Sequence, residues 1–133
     1  MTAPCYCAVL RGAARKVTAM YDEALAPVGV TLAQFRLLRL IERASQPLSL
    51  TELGRLADLD RSTVGRNVRL LQRQGLVRTA PGGDQREATV RLEEAGCSAL
   101  RLAVPLWSGA QHRIETVLGT DAARQLHTLL QSL

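Results

Sequence analysis

The chain has 133 residues, 47% of them hydrophobic, and a formal net charge of +5. That length suits one domain with a small core, and with two Tyr, one Phe and one Trp as the only aromatics, the core falls to Leu, Val, Ala and Ile, a composition suited to packed helices. No apolar run approaches the roughly 20 residues that span a bilayer, which excludes a membrane partner as the default.

The first predicted helix runs from Tyr6 to Leu25, with Leu10, Ala13, Val17, Met20 and Ala24 recurring at three and four residues. Pro27 and Gly29 break it. Thr31 with Gln34 then offers a capping box for a second helix to about Arg43, with Phe35, Leu38 and Ile41 inward. Ser45-Gln46-Pro47 reads as a loop. Ser49 and Glu52 form another capping box, opening a short helix with Leu53, Leu56 and Ala57. Asp58-Leu59-Asp60 makes a turn, and Asp60 can cap a helix from Arg61 to Gln74 that Gly75 terminates. Alternation over 76–80 and 88–92, around the turn-rich Pro81-Gly82-Gly83-Asp84-Gln85-Arg86-Glu87, predicts a β-hairpin. A long helix follows from Glu94 to about Val117, bent at Pro105. Gly119 ends it, and Thr120 starts a last helix bearing Ala123, Leu126, Leu130 and Leu133.

Charge is concentrated in one part of this map. Arg61, Arg66, Arg69, Arg73, Arg78, Arg86 and Arg91 oppose only Asp84 and Glu87, so this stretch carries the whole net charge of +5. The other residues balance to zero. A charge excess confined to one compact module calls for an anionic partner, most simply a nucleic acid backbone.

On a wheel of about 100° per residue, Val64, Val68 and Leu71 form one stripe. Ser62, Arg66, Arg69 and Arg73 fall on the opposite side. A merely solvated face would carry mixed signs with i,i+4 ion pairs, yet no acid lies between Arg61 and Arg78. A second helix after a tight turn, apolar inside and Ser/Arg outside, fits a major-groove reader of double-stranded DNA. Long donors reach guanine edges and phosphates there, while small polar groups serve where the backbone comes close. At the hairpin tip, Arg86 suits the strongly negative minor groove, and Asp84 could hold its guanidinium or shape the loop.

These residues resemble the MarR (multiple antibiotic resistance regulator) family. The stretches that carry the likeness are Leu53-Gly54-Arg55-Leu56-Ala57, Asp60-Arg61-Ser62-Thr63-Val64, Leu71 with Gly75-Leu76-Val77, and Asp84-Gln85-Arg86 with Leu92 and Gly96. The resemblance implies a mainly α fold with a small β-hairpin wing, a winged helix-turn-helix flanked by dimerisation helices. It divides the chain into N-terminal dimerisation helices (1–44), a DNA-binding region (45–93) and C-terminal dimerisation helices (94–133). It further implies a homodimer that represses transcription from a pseudo-palindromic operator and leaves it on meeting an effector. It implies that Ser62, Thr63, Arg66 and Arg69 face the major groove and Arg86 the minor groove; with the helical wheel and the wing, the DNA-binding set is Arg61, Ser62, Thr63, Arg66, Asn67, Arg69, Arg73, Asp84 and Arg86. Two departures stand out: Glu93 occupies a place where the family often has threonine, and the weakly helix-forming Gly65 would let the backbone approach the DNA.

Outside this module, Cys5-Tyr6-Cys7 is the most distinctive feature. Without a basic and apolar signal segment at the N-terminus, the expected location is cytoplasmic, where Cys5, Cys7 and Cys97 would be reduced thiols. Cys5 and Cys7 could be oxidised, or in a fraying first turn could chelate a soft metal or metalloid ion. No cofactor is required. Alternatively, Cys5 and Cys7 with Met20, Tyr21 and Trp107 could line a pocket for a small aromatic effector; as small buried hydrophobes, the cysteines could also simply pack. His112 and His127 read as ordinary helix residues. The competing function is a winged-helix module for protein–protein contacts without sequence-specific DNA binding. An enzyme has no support: there is no H-E-x-x-H, no phosphate-binding glycine loop and no nucleophile–base arrangement.

Overall fold

The computed structural model describes residues 3–83 and 86–133; Asp84 and Gln85 of the expected hairpin tip lie outside them. The described residues form, in order, α1 (Tyr6–Leu25), α2 (Leu32–Arg43), β1 (Leu48–Ser49), α3 (Leu50–Ala57), α4 (Arg61–Arg73), β2 (Val77–Ala80), β3 (Thr89–Leu92), α5 (Glu94–Leu118) and α6 (Thr120–Gln131). A 3-10 turn, Ala26–Val28, joins α1 to α2.

Local side-chain chemistry sets the helix starts. Thr31 accepts from the Gln34 amide at 3.2 Å while Gln34 Oε1 accepts from the Thr31 amide at 3.1 Å. Ser49 and Glu52 repeat this reciprocal arrangement at the head of α3. Each pair satisfies backbone donors that a helix start leaves unpartnered. Between α3 and α4 the chain reverses through Asp58, which adopts a left-handed conformation (φ 56°), and the Leu59 amide donates back to the Gly54 carbonyl at 2.9 Å. Asp is among the few residues that tolerate this conformation. The turn is thereby held tight enough to cross α4 over α3.

The sheet is three-stranded rather than a bare hairpin. β3 lies between β2 and β1, antiparallel to both, with Leu48 opposite Val90 and Val77 opposite Leu92. β1 adjoins the segment expected to be only a loop. With two residues it has no alternation to read, and it exists because β3 offers it an edge.

The core is aliphatic. Leu25, Leu37, Leu38, Leu53, Val64, Leu71, Val90 and Leu100 are its largest fully buried side chains, and Phe35 is the one buried aromatic. Val64, Val68 and Leu71 point α4 inward as the wheel requires. The outer helices behave differently. Only Leu25 is buried on α1, and nothing is buried on α6. Leu10 and Ala13, on the apolar face expected for α1, are exposed, as are Leu126, Leu130 and Leu133. The apolar pattern of these helices is real, but the single chain supplies no surface to cover it.

α5 continues through Pro105 to Leu118, packed along α1 and α2. Its first turn presses on the chain between α4 and the sheet. The Glu93 amide donates to the Leu76 carbonyl at 2.9 Å, and Gly96 packs directly against that same carbonyl.

Candidate nucleic-acid interface

α4 is positioned from both ends. At its start, Asp60 accepts from the Thr63 amide at 2.8 Å and from Ser62 Oγ at 2.7 Å. The Ser62 and Thr63 hydrogen bonds, with Arg66 adding attraction, lower the Asp60 carboxyl from 3.8 to about 2. At its far end, Gln74 Nε2 donates to the Gly29 carbonyl at 2.7 Å, tethering α4 to the α1–α2 junction. The cap has a pH signature. Because the folded value is depressed, its contribution is full above 3.8 and disappears as pH falls through about 2. The gap in thermal stability between wild type and Asp60→Ala should therefore be flat at neutral pH and close only below about pH 4.

On the outer side of α4, Ser62, Arg66, Arg69 and Arg73 are exposed, and Thr63 and Asn67 are half-buried beside them. Arg66 Nη2 donates to Thr63 Oγ1 at 3.3 Å, and Asn67 Nδ2 to the Thr63 carbonyl at 3.1 Å. Among the described residues, Arg66, Arg69 and Arg73 make no ion pair. An array of unneutralised guanidiniums on one ridge is held at full charge for a polyanion. Gly65 is the residue expected to let the backbone approach the DNA. It is buried, and the atom nearest to where a Cβ would stand is Arg69 Nη1, 3.6 Å away.

The remaining arginines divide. Arg86 is exposed on the wing, and its amide donates to the Gly83 carbonyl at 2.7 Å. Asp84, its expected partner, lies outside the described residues. Arg78 stands 3.4 Å from Glu93, so the residue that departs from the family pattern serves as an ion-pair partner; it makes no side-chain cap for α5. Arg61 was expected on the DNA face but is engaged by Glu87 at 2.8 Å, a partner that only the closed wing brings near.

The residues singled out for sensing separate into two places. Tyr21 and Trp107 stack with ring centroids 6.1 Å apart, and Phe35 stacks on Trp107 at 6.0 Å. Arg39 caps the column, 5.8 Å from the Phe35 ring. Tyr21 donates its hydroxyl to Gln111 Oε1, while burial, and then the nearby Glu115 charge, raise its pKa. Trp107 and Phe35 also line a cavity of about 300 Å³ with Arg36, Arg39, Leu40, Arg43 and Leu56. Cys5 and Cys7 are exposed at the other end of α1, about four helical turns from Tyr21, so they do not join this pocket within the subunit. Among the described residues no group of three or more His, Cys, Asp or Glu could hold a metal ion.

A family model described as the MarR family matches residues 28–87. The M. tuberculosis transcriptional regulator MosR, solved in complex with DNA, is 35% identical over 97% of this chain and 96% of that one, with a TM-score of 0.83. The chain belongs to the MarR family. Two more distant MarR-family-like structures share the fold. The repressor CouR on a 23-mer DNA duplex is 24% identical over 96% of this chain and 91% of its own, with a TM-score of 0.85, and has also been solved with p-coumaroyl-CoA. The oxidized form of MarR from E. coli is 21% identical over 98% and 95%, with a TM-score of 0.79. A comparison with curated protein sequences finds no match. This MarR-family chain is thus a DNA-binding transcriptional regulator and not an enzyme. Among the described residues, no single helix is long and apolar enough to cross a membrane.

Proposed function

We propose that the chain is a cytoplasmic, homodimeric repressor that occupies a pseudo-palindromic operator and leaves it on binding a small effector. The observation that carries this is the arginine ridge of α4, free of ion pairs among the described residues, beside a wing bearing Arg86. Ser62, Thr63, Arg66, Asn67, Arg69 and Arg73 would meet the major groove, and Arg86 with Asp84 the minor groove. The uncovered apolar residues support the dimer: Tyr6 is 80% exposed, Leu129 65% and Leu133 94%. Patches of this kind on a single chain mark contact surfaces. A two-fold dimer would set two α4 helices about one DNA turn, roughly 34 Å, apart, which is what a palindrome demands.

For the effector, the favoured class is a small aromatic acid. The cavity beside Trp107 is lined by the apolar Phe35, Leu40 and Leu56 together with Arg36, Arg39 and Arg43, a combination that suits a ring carrying an anion. CouR, with its p-coumaroyl-CoA complex, lends this reading a precedent. Thiol chemistry at Cys5 and Cys7 is the second reading, favoured by their exposure and by the oxidized form of E. coli MarR. One experiment separates them. The protein is bound to a duplex it selects from random-sequence DNA and challenged with aromatic carboxylates, peroxide or a thiophilic metal. Release by carboxylates that Trp107→Ala abolishes supports the aromatic reading. Release by oxidant or metal that the Cys5→Ser, Cys7→Ser double variant resists supports the thiol reading instead. No enriched duplex at all would overturn the repressor itself.

A further inference from the structure

The carboxylate of Glu87 lies where three elements meet. Its Oε1 accepts from Arg61 Nε at 2.8 Å, stands 2.8 Å from Arg61 Nη2, and accepts from Thr51 Oγ1 at 2.9 Å. Glu87 belongs to the returning arm of the wing, one residue past Arg86 and two before β3. Arg61 is the first residue of α4, and Thr51 the second of α3. One side chain therefore ties the wing to both helices of the helix-turn-helix at their N-terminal ends, where the helix dipoles also favour an anion. Arg61 is turned toward this anion, about 80° around the wheel from Arg69 and farther from Arg66 and Arg73.

We propose that Glu87 is a positioning residue for DNA recognition: it fixes the wing against the recognition helix and withholds Arg61 from the phosphate backbone. The proposal rests on the DNA-binding reading of α4 and the wing. An exposed ion pair alone contributes little to folding stability. Here its effect lies in geometry, because the two elements it joins are the two that would touch DNA in different grooves. It also changes what Arg61 does. An arginine engaged in this way contributes orientation to the complex and releases no counterion from the DNA.

The test uses the full chain, a duplex enriched by the wild type from a random-sequence pool, and an unrelated duplex of equal length. Affinities are measured by anisotropy of labelled DNA across a salt series, with thermal melts as a check on folding. Glu87→Ala and Arg61→Ala should each weaken binding to the enriched duplex about fivefold. The double variant should be no weaker than either single one, and Arg61→Ala should keep the wild-type salt slope. Glu87→Gln, which keeps an acceptor oxygen, should preserve the preference for the enriched duplex better than Glu87→Ala. Additive losses in the double variant would overturn the proposal. So would a salt slope reduced by about 0.9 in Arg61→Ala, the mark of a lost phosphate contact. Tighter binding by Glu87→Ala would equally overturn it, since Glu87 would then only repel DNA. Failure of the wild type to enrich any duplex is a separate result, which would remove the DNA-binding reading and the proposal with it.

Discussion

Arg66→Ala and Arg69→Ala are each expected to weaken operator binding about tenfold to a hundredfold, the range for losing a base-edge contact, while thermal unfolding stays as in the wild type. Both side chains are exposed and neither is held in an ion pair among the described residues, so their removal leaves no buried group unpaired. Arg78→Ala should lose far less, because that guanidinium already faces Glu93 at 3.4 Å. The comparison needs only a gel-shift series at fixed salt. Wild-type affinity in both α4 variants would remove this helix from the DNA-reading role, whatever the wing does.

Gly96→Ala is expected to cost about 3 kcal/mol of folding stability, at the upper end of the usual overpacking penalty. A Cβ at this position would collide with the Leu76 carbonyl oxygen and stand 3.1 Å from its carbon and 3.2 Å from Leu92 Cδ2. The obstacle is backbone, so no rotamer change can relieve it. Either α5 lifts away or the turn after α4 shifts, and both movements disturb the hydrogen bond from the Glu93 amide to the same carbonyl. Denaturant unfolding measures the loss directly. A variant as stable as the wild type would mean that α5 does not approach the chain this closely.

Much of the fold was legible because its determinants are local. Thr31 with Gln34, Ser49 with Glu52, and Asp60 announce three helix starts through bonds that span three residues. The stripe of Val64, Val68 and Leu71 follows from helix period alone. β1 escaped notice because two residues carry no period. The apolar face of α1 is legible as a pattern, yet only Leu25 of that helix is buried in this chain, since sequence does not say which molecule covers a hydrophobic stripe.

The site was legible in part for the same reason. The α4 arginines share a face by spacing, whereas Glu87 reaches Arg61 across 26 residues and Thr51 across 36. That contact depends on the wing folding back, which charge counting cannot foresee. The charge count sets Glu87 against the arginines only as a sum and does not single out Arg61 as its partner. Tyr21 and Trp107 are grouped by the sequence reading as lining of an effector pocket, but Phe35, assigned to the core, and Arg39 complete a column whose order comes only from the packing of α1, α2 and α5.

That column has a practical consequence. Trp107 is the only tryptophan in the chain, and it is flanked by a ring on either side. Excited beyond the tyrosine band, its emission is therefore a single-site signal, reporting from the junction of three helices. Tyr21, 6.1 Å away, is close enough to pass its excitation on. A slide of α1 along α5 would part this donor and acceptor and register as a change in colour and yield. The molecule thus carries its own optical gauge of helix movement, readable without any attached dye.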